Sequence, residues 1–427
     1  MELYEHYLRH PGIAIDSRRV QPGDLFFALK GEHTDGNRYA KAALDAGASL
    51  AVIDDPAYDI PNGNTYLVED ALVALQALAR HHRRQYAHPV VALTGSNGKT
   101  TTKELLREVL AQRYRVHATE GNYNNHIGVP LTLLRLPLDS DIAVIEMGAN
   151  HQGEIDALCR IAEPSHGLIT NVGQAHLEGF GGIEGVKRGK SELYRYLSEV
   201  GGTAFVNTDE RELVPLLPQQ LRKIKYAHAD RPEQYQAKLL ATSPTVRVSF
   251  SDHGVAHRAT TRVSGQHNFQ NVLTAIAVGQ YFKVSGSSIA KALEQYTPRN
   301  NRSEVRRVGD NTFYLDAYNA NPSSMTAALD HFDEVDADLK VVILGDMLEL
   351  GGDADDLHRQ ILLRAKHTKT HIVVTVGPQF GRVQDEHGVH FEGVAGVRTW
   401  LDKMAFNDAH ILLKGSRGIG LERILQT

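Results

Sequence analysis

The run TGSNGKTTT, residues 94–102, sets two glycines three positions apart ahead of a lysine and three threonines. Gly95 and Gly98 permit tight turning, so that backbone N–H groups of the loop, Ser96 and Asn97 included, can point at a bound anion. The apolar stretch VVAL before it reads as a strand, and a helical pattern begins near Lys99 and continues from Thr101. The positive end of that helix favours phosphate. Lys99 can reach terminal phosphates, and the Thr100 hydroxyl, next to Thr101, can ligate Mg²⁺. In the common phosphate loop another glycine stands five residues before Gly98; here that position is Leu93. The loop is short, unlike that of motor proteins or switch GTPases.

Two more residues sit where such chemistry needs partners. Glu146 closes the apolar run IAVIE, the place where a metal-binding carboxylate belongs in a nucleotide site. His176 follows another apolar strand, in TNVGQAHLEGFGG, beside the same expected sheet edge. Lys190, in EGVKRGKSELYRYL, is not distinguished by spacing: with Lys187 and Arg188 it reads as one solvated helix face.

The elements that must position these residues fall into three blocks. Residues 1–85 carry short strands in GIAIDSRRV, GDLFFAL, ASLAVID and TYLVE, a helix over RYAKAALDAG ended by Gly47, and a helix after Asp70 that runs basic toward Pro89. Residues 86–298 alternate strands and helices: PVVALTG, IAVIEMG, HGLITNVG and TAFVN predict a mainly parallel sheet covered on both faces. Residues 299–427 repeat the logic with TFYLDAY, KVVILGD, HIVVTVG and HILLKGS. The expected fold is therefore α/β in three domains: a small N-terminal domain, a central phosphate-loop domain and a Rossmann-like C-terminal domain. In such sheets ligands bind at the carboxyl ends of the strands.

The 427 residues carry a net charge of −5, which argues against a nucleic-acid binder or a protein of anionic membrane surfaces. The lone cysteine, Cys159, excludes an internal disulfide, fits a reducing compartment and reads as a buried small side chain in a helix. The start MELYEHYLRH lacks a signal-peptide core, and no apolar run reaches the ~18 residues of a membrane helix, so a cytoplasmic location is expected.

On these and further stretches the chain resembles the ATP-dependent Mur ligases from end to end. DSRRVQPGDLFFALKGEHTDGNRYAKAALDAGA is similar to their UDP-binding domain, and TGSNGKTTTK to their short phosphate loop. EGNYNNHIGVPLTLL, EMGANHQGEI, TNVGQAHLEGFG and GQHNFQNVLTAIA are similar to their central signatures, and LGDMLELG to part of their C-terminal domain. DAYNANPSSMTAAL resembles the type that adds D-alanyl-D-alanine to UDP-N-acetylmuramoyl-tripeptide. The diaminopimelate-selecting DNPR motif is absent, and folylpolyglutamate synthetases lack YNANPSS.

The resemblance implies ATP and two Mg²⁺ ions as cofactors. Lys99 and Thr100 would hold phosphates and the first metal, Glu146 and His176 would complete coordination, and Lys190 aligns with a lysine that the family carbamylates. Asn268 and Asn271 would contact adenine; read without the resemblance they are a helix N-cap and a surface residue. Arg302 stands where the family has an arginine after a glycine, replaced here by Asn301. Asp316, Tyr318 and Asn319 would close over nucleotide and dipeptide. Ser17 and Arg18 would face UDP, while Asn124, Asn125 and Asn321 would line the peptide substrates; His126 receives no role. The implied reaction passes through an acyl phosphate, with the third domain closing about a hinge at residues 297–302, in a cytoplasmic monomer. Competing readings are a ligase for another nucleotide-peptide or for folylpolyglutamate, and a P-loop switch protein using ATP without ligation.

Overall fold

The computed structural model describes residues 2–61, 63–298, 302–384 and 388–425, and three separate sheets follow one another along the chain. In the first, Ile13–Ala14, Leu25–Phe27, Leu50–Ile53 and Thr65–Leu67 lie side by side in sequence order, all parallel. The strand expected over residues 12–20 is only two residues long. The Asp16 carboxylate accepts from the Arg18 N–H and folds Ser17–Arg19 into a 3₁₀ turn, a local bond that outcompetes the sheet ladder.

The helix Ala71–Gln85 starts at Asp70, whose side chain accepts from the Val73 N–H at 2.9 Å. Ala71, Leu75, Leu78, Ala79 and His82 form its buried stripe, packed on helices Gly128–Leu134 and Glu154–Ala162 of the central domain. Its basic end is only partly solvated: Arg84 is exposed, but Arg83 is not. Arg83 is buried and donates to the carbonyls of Ala162 (2.7 Å), Tyr86 (2.8 Å) and Glu163 (2.8 Å). A guanidinium over the free carbonyls that end a helix satisfies acceptors that water would otherwise have to reach.

The central sheet has nine strands. Val90–Thr94, buried along its whole length, lies between Ile142–Glu146 and His166–Ile169, all parallel. Val116–Ala118 flanks one side; Thr203–Asn207, Arg222–His228 and Tyr235–Ala241 continue the parallel run on the other. Two antiparallel strands, Arg247–Asp252 and Val255–Thr260, finish it. The strands after Asn207 were not anticipated because they are half-exposed and polar, without the continuous apolar signal of a strand covered on both faces. Cys159 is buried, its Sγ 3.8 Å from Met147 Sδ, and burial pushes the thiol pKa up.

In the third sheet, Asn311–Asp316, Ala409–Lys414, Leu339–Gly345, Ile372–Val376 and Val389–Phe391 are parallel neighbours, and Glu304–Val308 adds an antiparallel edge. The expected hinge at 297–302 includes residues 299–301, which lie outside the described residues. Among the described residues no helix is long and apolar enough to cross a membrane.

Candidate active site

Leu93 explains the short phosphate loop: it lies inside the central strand, paired with Glu146 on one side and Leu168 on the other. The sheet runs on to Thr94, and the turn begins one residue later. Gly95 has φ +146°, and a Cβ there would lie 1.9 Å from the Thr170 hydroxyl; Gly98 has φ +78°, and a Cβ would meet Asn271 Oδ1 at 2.5 Å. The Ser96 hydroxyl and the Gly173 backbone bond each other, the Asn97 N–H donates to Asn171 Oδ1, and the Asn97 carbonyl accepts from Thr170 and Asn171, so the loop is fastened to the next strand end. Helix Lys99–Leu110 begins directly at Gly98, with Thr100 and Thr101 in its first turn. Lys99 folds back to the carbonyls of Gly95 (2.7 Å) and Ser96 (3.2 Å). Burial, reinforced by Arg302 and opposed by Glu146, lowers its pKa to about 8.

Glu146 is buried at the end of its strand. Its Oε1 accepts from Thr100 Oγ1 (3.2 Å) and Asn124 Nδ2 (2.7 Å). Among the described residues Oε2 has no hydrogen-bond partner, with the buried Lys103 ammonium 3.6 Å away. Lys103, one helical turn beyond Lys99, was not singled out, although its i,i+4 spacing in KTTTK was a usable signal. Among the described residues no three His, Cys, Asp or Glu side chains gather to hold a metal unaided. The hydroxyl of Thr100 and the orphaned oxygen of Glu146 nevertheless suit Mg²⁺, which takes one or two protein oxygens and completes its shell with phosphate and water.

Lys190 corrects the reading of a solvated face. It is fully buried, donates to the Ala149 carbonyl at 3.2 Å and stands 5.0 Å from the Phe180 ring centre. Burial, with Lys99 nearby, drives its pKa well below the ordinary lysine value, opposed by Glu154 and Glu192. Lys187 keeps the expected surface role and pairs with Glu184 and Glu212. His176 has φ +52° and its Nδ1 is hydrogen-bonded to Glu349, a C-terminal residue that sequence pattern did not mark. That bond is the main reason the Glu349 carboxyl sits below its usual pKa.

Asn268 and Asn271 are buried, not a cap and a surface residue: Asn271 accepts from Thr102 Oγ1 (3.0 Å) and donates to Asn268 Oδ1 (2.9 Å) beneath the phosphate loop. From the third sheet, Asp316 pairs with the buried Lys414 at 2.9 Å, and Lys414 also donates to the Asn319 carbonyl at 2.6 Å. The Arg302 guanidinium stacks 3.6 Å from the Tyr318 ring centre, its buried Nε without a hydrogen-bond partner among the described residues. Asn321 caps helix Pro322–Asp333 and donates to Asn97 Oδ1 at 2.8 Å, so its side chain is engaged by the phosphate loop.

Most of these residues line one cavity of about 520 Å³. Residues 96–101, Asn124, Asn125, Glu146, His176, Asn268, Asn271, Arg302, Asp316, Tyr318 and Asn319 form its wall, with His126 and Gln76 at one side. Carboxyl ends of strands from two sheets thus face one space. Lys190 stands behind the wall at Ala149, and Ser17 and Arg18 are not brought to it. Arg18 lies in the first sheet's 3₁₀ turn, paired with Asp16 at 2.7 Å.

Family profiles described as "Mur ligase family, catalytic domain", "Mur ligase middle domain" and "Mur ligase, glutamate ligase domain" match residues 10–86, 93–279 and 301–417. The chain belongs to the Mur ligase family. Over 99% of its length it is 34% identical to the UDP-N-acetylmuramoyl-tripeptide–D-alanyl-D-alanine ligase of Bacillus subtilis, 94% of which is covered. The crystal structure of MurF from Acinetobacter baumannii is 31% identical with a TM-score of 0.86, covering 97% of this Mur ligase and 92% of that chain. The MurF ligase of Thermotoga maritima in complex with ADP is 25% identical with a TM-score of 0.87, covering 98% and 97%.

Proposed function

We infer that this Mur ligase joins D-alanyl-D-alanine to UDP-N-acetylmuramoyl-tripeptide, converting ATP to ADP and phosphate, as a cytoplasmic step of peptidoglycan precursor synthesis. The observation that carries the reading is the single cavity between two sheets, with a phosphate loop on one side and the 316–324 segment on the other. Full-length similarity to ligases of that name and to an ADP complex supports it.

The assigned segments are 1–85 for the UDP-sugar, with Ser17 and Arg18 toward UDP, 86–298 for ATP and 299–427 for the dipeptide. Lys99 leaves the loop carbonyls for the nucleotide's terminal phosphates, and the helix N-terminus and Arg302 add positive charge against the approach of a carboxylate to a triphosphate. Asn268 and Asn271 face adenine. Thr100, Glu146, His176 and a carbamylated Lys190 would hold two Mg²⁺ ions, which would neutralise charge on the transferring phosphoryl group. Lys190 is prepared for carbamylation because burial favours its neutral amine; that amine attacks CO₂, a proton leaves, and a carboxylate replaces a cation. Asn124 and Asn125 border the tripeptide's terminal carboxylate, which becomes an acyl phosphate. The dipeptide amine, guided by Asp316, Tyr318, Asn319 and Asn321, attacks that carbonyl, loses a proton and expels phosphate. Keeping water from the acyl phosphate requires closure of the third domain.

The test is phosphate release from Mg²⁺·ATP with each substrate omitted in turn, the nucleotide product followed by mass. Release that needs both substrates, with a mass gain of one dipeptide less water, is expected. Release indifferent to D-alanyl-D-alanine would sink the reading in favour of another amine donor, such as a folylpolyglutamate-type ligase uses. Lys190→Ala is expected to lose most activity and Lys190→Glu to recover part of it; an active alanine variant would remove the carbamate.

A further inference from the structure

His176 and Glu349 belong to different domains, yet their side chains meet. Each sits on a loop beyond a parallel strand, His166–Ile169 in the central sheet and Leu339–Gly345 in the third. Both are non-glycine residues in the left-handed backbone region, with φ +52° and +64°. Such conformations persist only where surroundings fix them, and they gather at functional sites. The Glu349 loop is anchored within its own domain. Met347 and Leu350 are buried on either side, Met347 N–H donates to His358 at 3.0 Å, and Leu348 N–H to the Ser416 hydroxyl at 3.1 Å. The two loops are in contact around the bond, since a Cβ at Gly351 would lie 3.3 Å from Glu178 Cβ.

His176 lines the nucleotide cavity and Glu349 does not. The carboxylate accepts from Nδ1 of the ring. A carboxylate on Nδ1 keeps the proton there and leaves Nε2 with its lone pair, the tautomer a metal-ligating imidazole needs. We propose that Glu349 is a positioning residue through which docking of the C-terminal domain sets the tautomer and orientation of His176 for metal ligation. The proposal rests on His176 being a ligand, as read above. It makes closure and completion of the metal site one event. With the third domain swung away, His176 loses its carboxylate and the site binds metal more weakly.

The experiment uses the full chain with ADP, UDP-N-acetylmuramoyl-tripeptide and Mn²⁺ in place of Mg²⁺, read by pulsed electron paramagnetic resonance for imidazole nitrogen coupling. Calorimetry measures Mn²⁺ affinity in parallel. The Glu349 side chain is 55% exposed, so its replacement does not empty a core. Glu349→Ala is expected to weaken the nitrogen coupling and to lower metal affinity about ten- to hundredfold. Glu349→Gln, whose amide oxygen can still accept from Nδ1, should retain most of both. The Mg²⁺ requirement for turnover should rise in step for Glu349→Ala. Unchanged coupling and affinity in Glu349→Ala overturn the proposal, even if kcat falls, because Glu349 would then act only in domain packing. A native enzyme whose nitrogen coupling does not depend on His176, tested with His176→Ala, overturns the ligand assignment itself and the proposal with it.

Discussion

Buried apolar residues of all three domains join in one cluster, but the polar contacts that the central domain makes with its two neighbours differ. Toward the N-terminal domain it offers helices that bury Leu75, Leu78 and His82, and Arg83 ties three carbonyls there. The Tyr7 hydroxyl donates to the Leu134 carbonyl, and His82 bonds the Leu136 carbonyl at 2.9 Å. Toward the C-terminal domain, loops are bridged by separate polar pairs: Asn97 with Asn321, Gln174 with Ser323, His176 with Glu349 and Thr242 with Glu334. Apolar burial is lost all at once when a junction opens, whereas each polar pair exchanges for water at a net change of only about 1 kcal/mol. The closure proposed above for the third domain would break and remake the second set of bonds and leave the first junction intact.

Four measurements would break or sharpen this contrast. The largest effect is expected from Leu78→Ala, which should lower unfolding stability by about 2–5 kcal/mol in a denaturant titration. A loss under about 1 kcal/mol would show that the first junction is not a continuous core. Next, Arg83→Met removes a buried donor from three carbonyls and should cost about 1.5–3 kcal/mol, with the KM for ATP unmoved. A shift in KM would mean that the fixed junction communicates with the cavity.

The third measurement concerns the phosphate loop, whose Asn97 takes part in the second set of bonds. Lys99, lowered to about 8 by burial, carries its full charge-burial penalty below that pH. Because its folded pKa lies below the unfolded value of about 10.4, this group's contribution to stability rises as pH climbs from about 8 toward 10.4. The phosphate binding proposed for Lys99 would run the other way, since it needs the protonated amine. Between pH 7 and 9 the Kd for ADP should increase about tenfold by calorimetry, and Lys99→Arg should flatten the profile. The smallest effect belongs to Asn321→Ala. Loss of the helix cap costs about 1 kcal/mol, while loss of the bond to Asn97 should lower kcat about two- to tenfold. A melting-point drop with kcat intact would reduce Asn321 to a cap.

Legibility in the sequence divided along physical lines. The phosphate loop, Glu146 and the strands around them could be read because backbone geometry, apolar runs and strand ends are local properties. The polar strands beyond Asn207 could not, because half-exposed strands carry little apolar contrast. Lys103 carries a signal in its spacing, one turn beyond Lys99. Glu349 lies in a stretch that carries the resemblance, LGDMLELG, but nothing local gives it a role: it acquires one only from the histidine that a different sheet delivers to it.

By itself the sequence determined the three α/β blocks, the shortened loop ending a buried strand, and, by resemblance, the family and its chemistry. Those features depend on contacts within a few residues or on motifs that survive intact. Only the tertiary structure decided which charges are in water. Lys187 and Lys190 lie three residues apart on one short helix, yet one pairs on the surface and the other is fully buried beneath Phe180. The depressed pKa of the second arises from desolvation by residues distant in sequence, a quantity set by packing and carried by no residue alone.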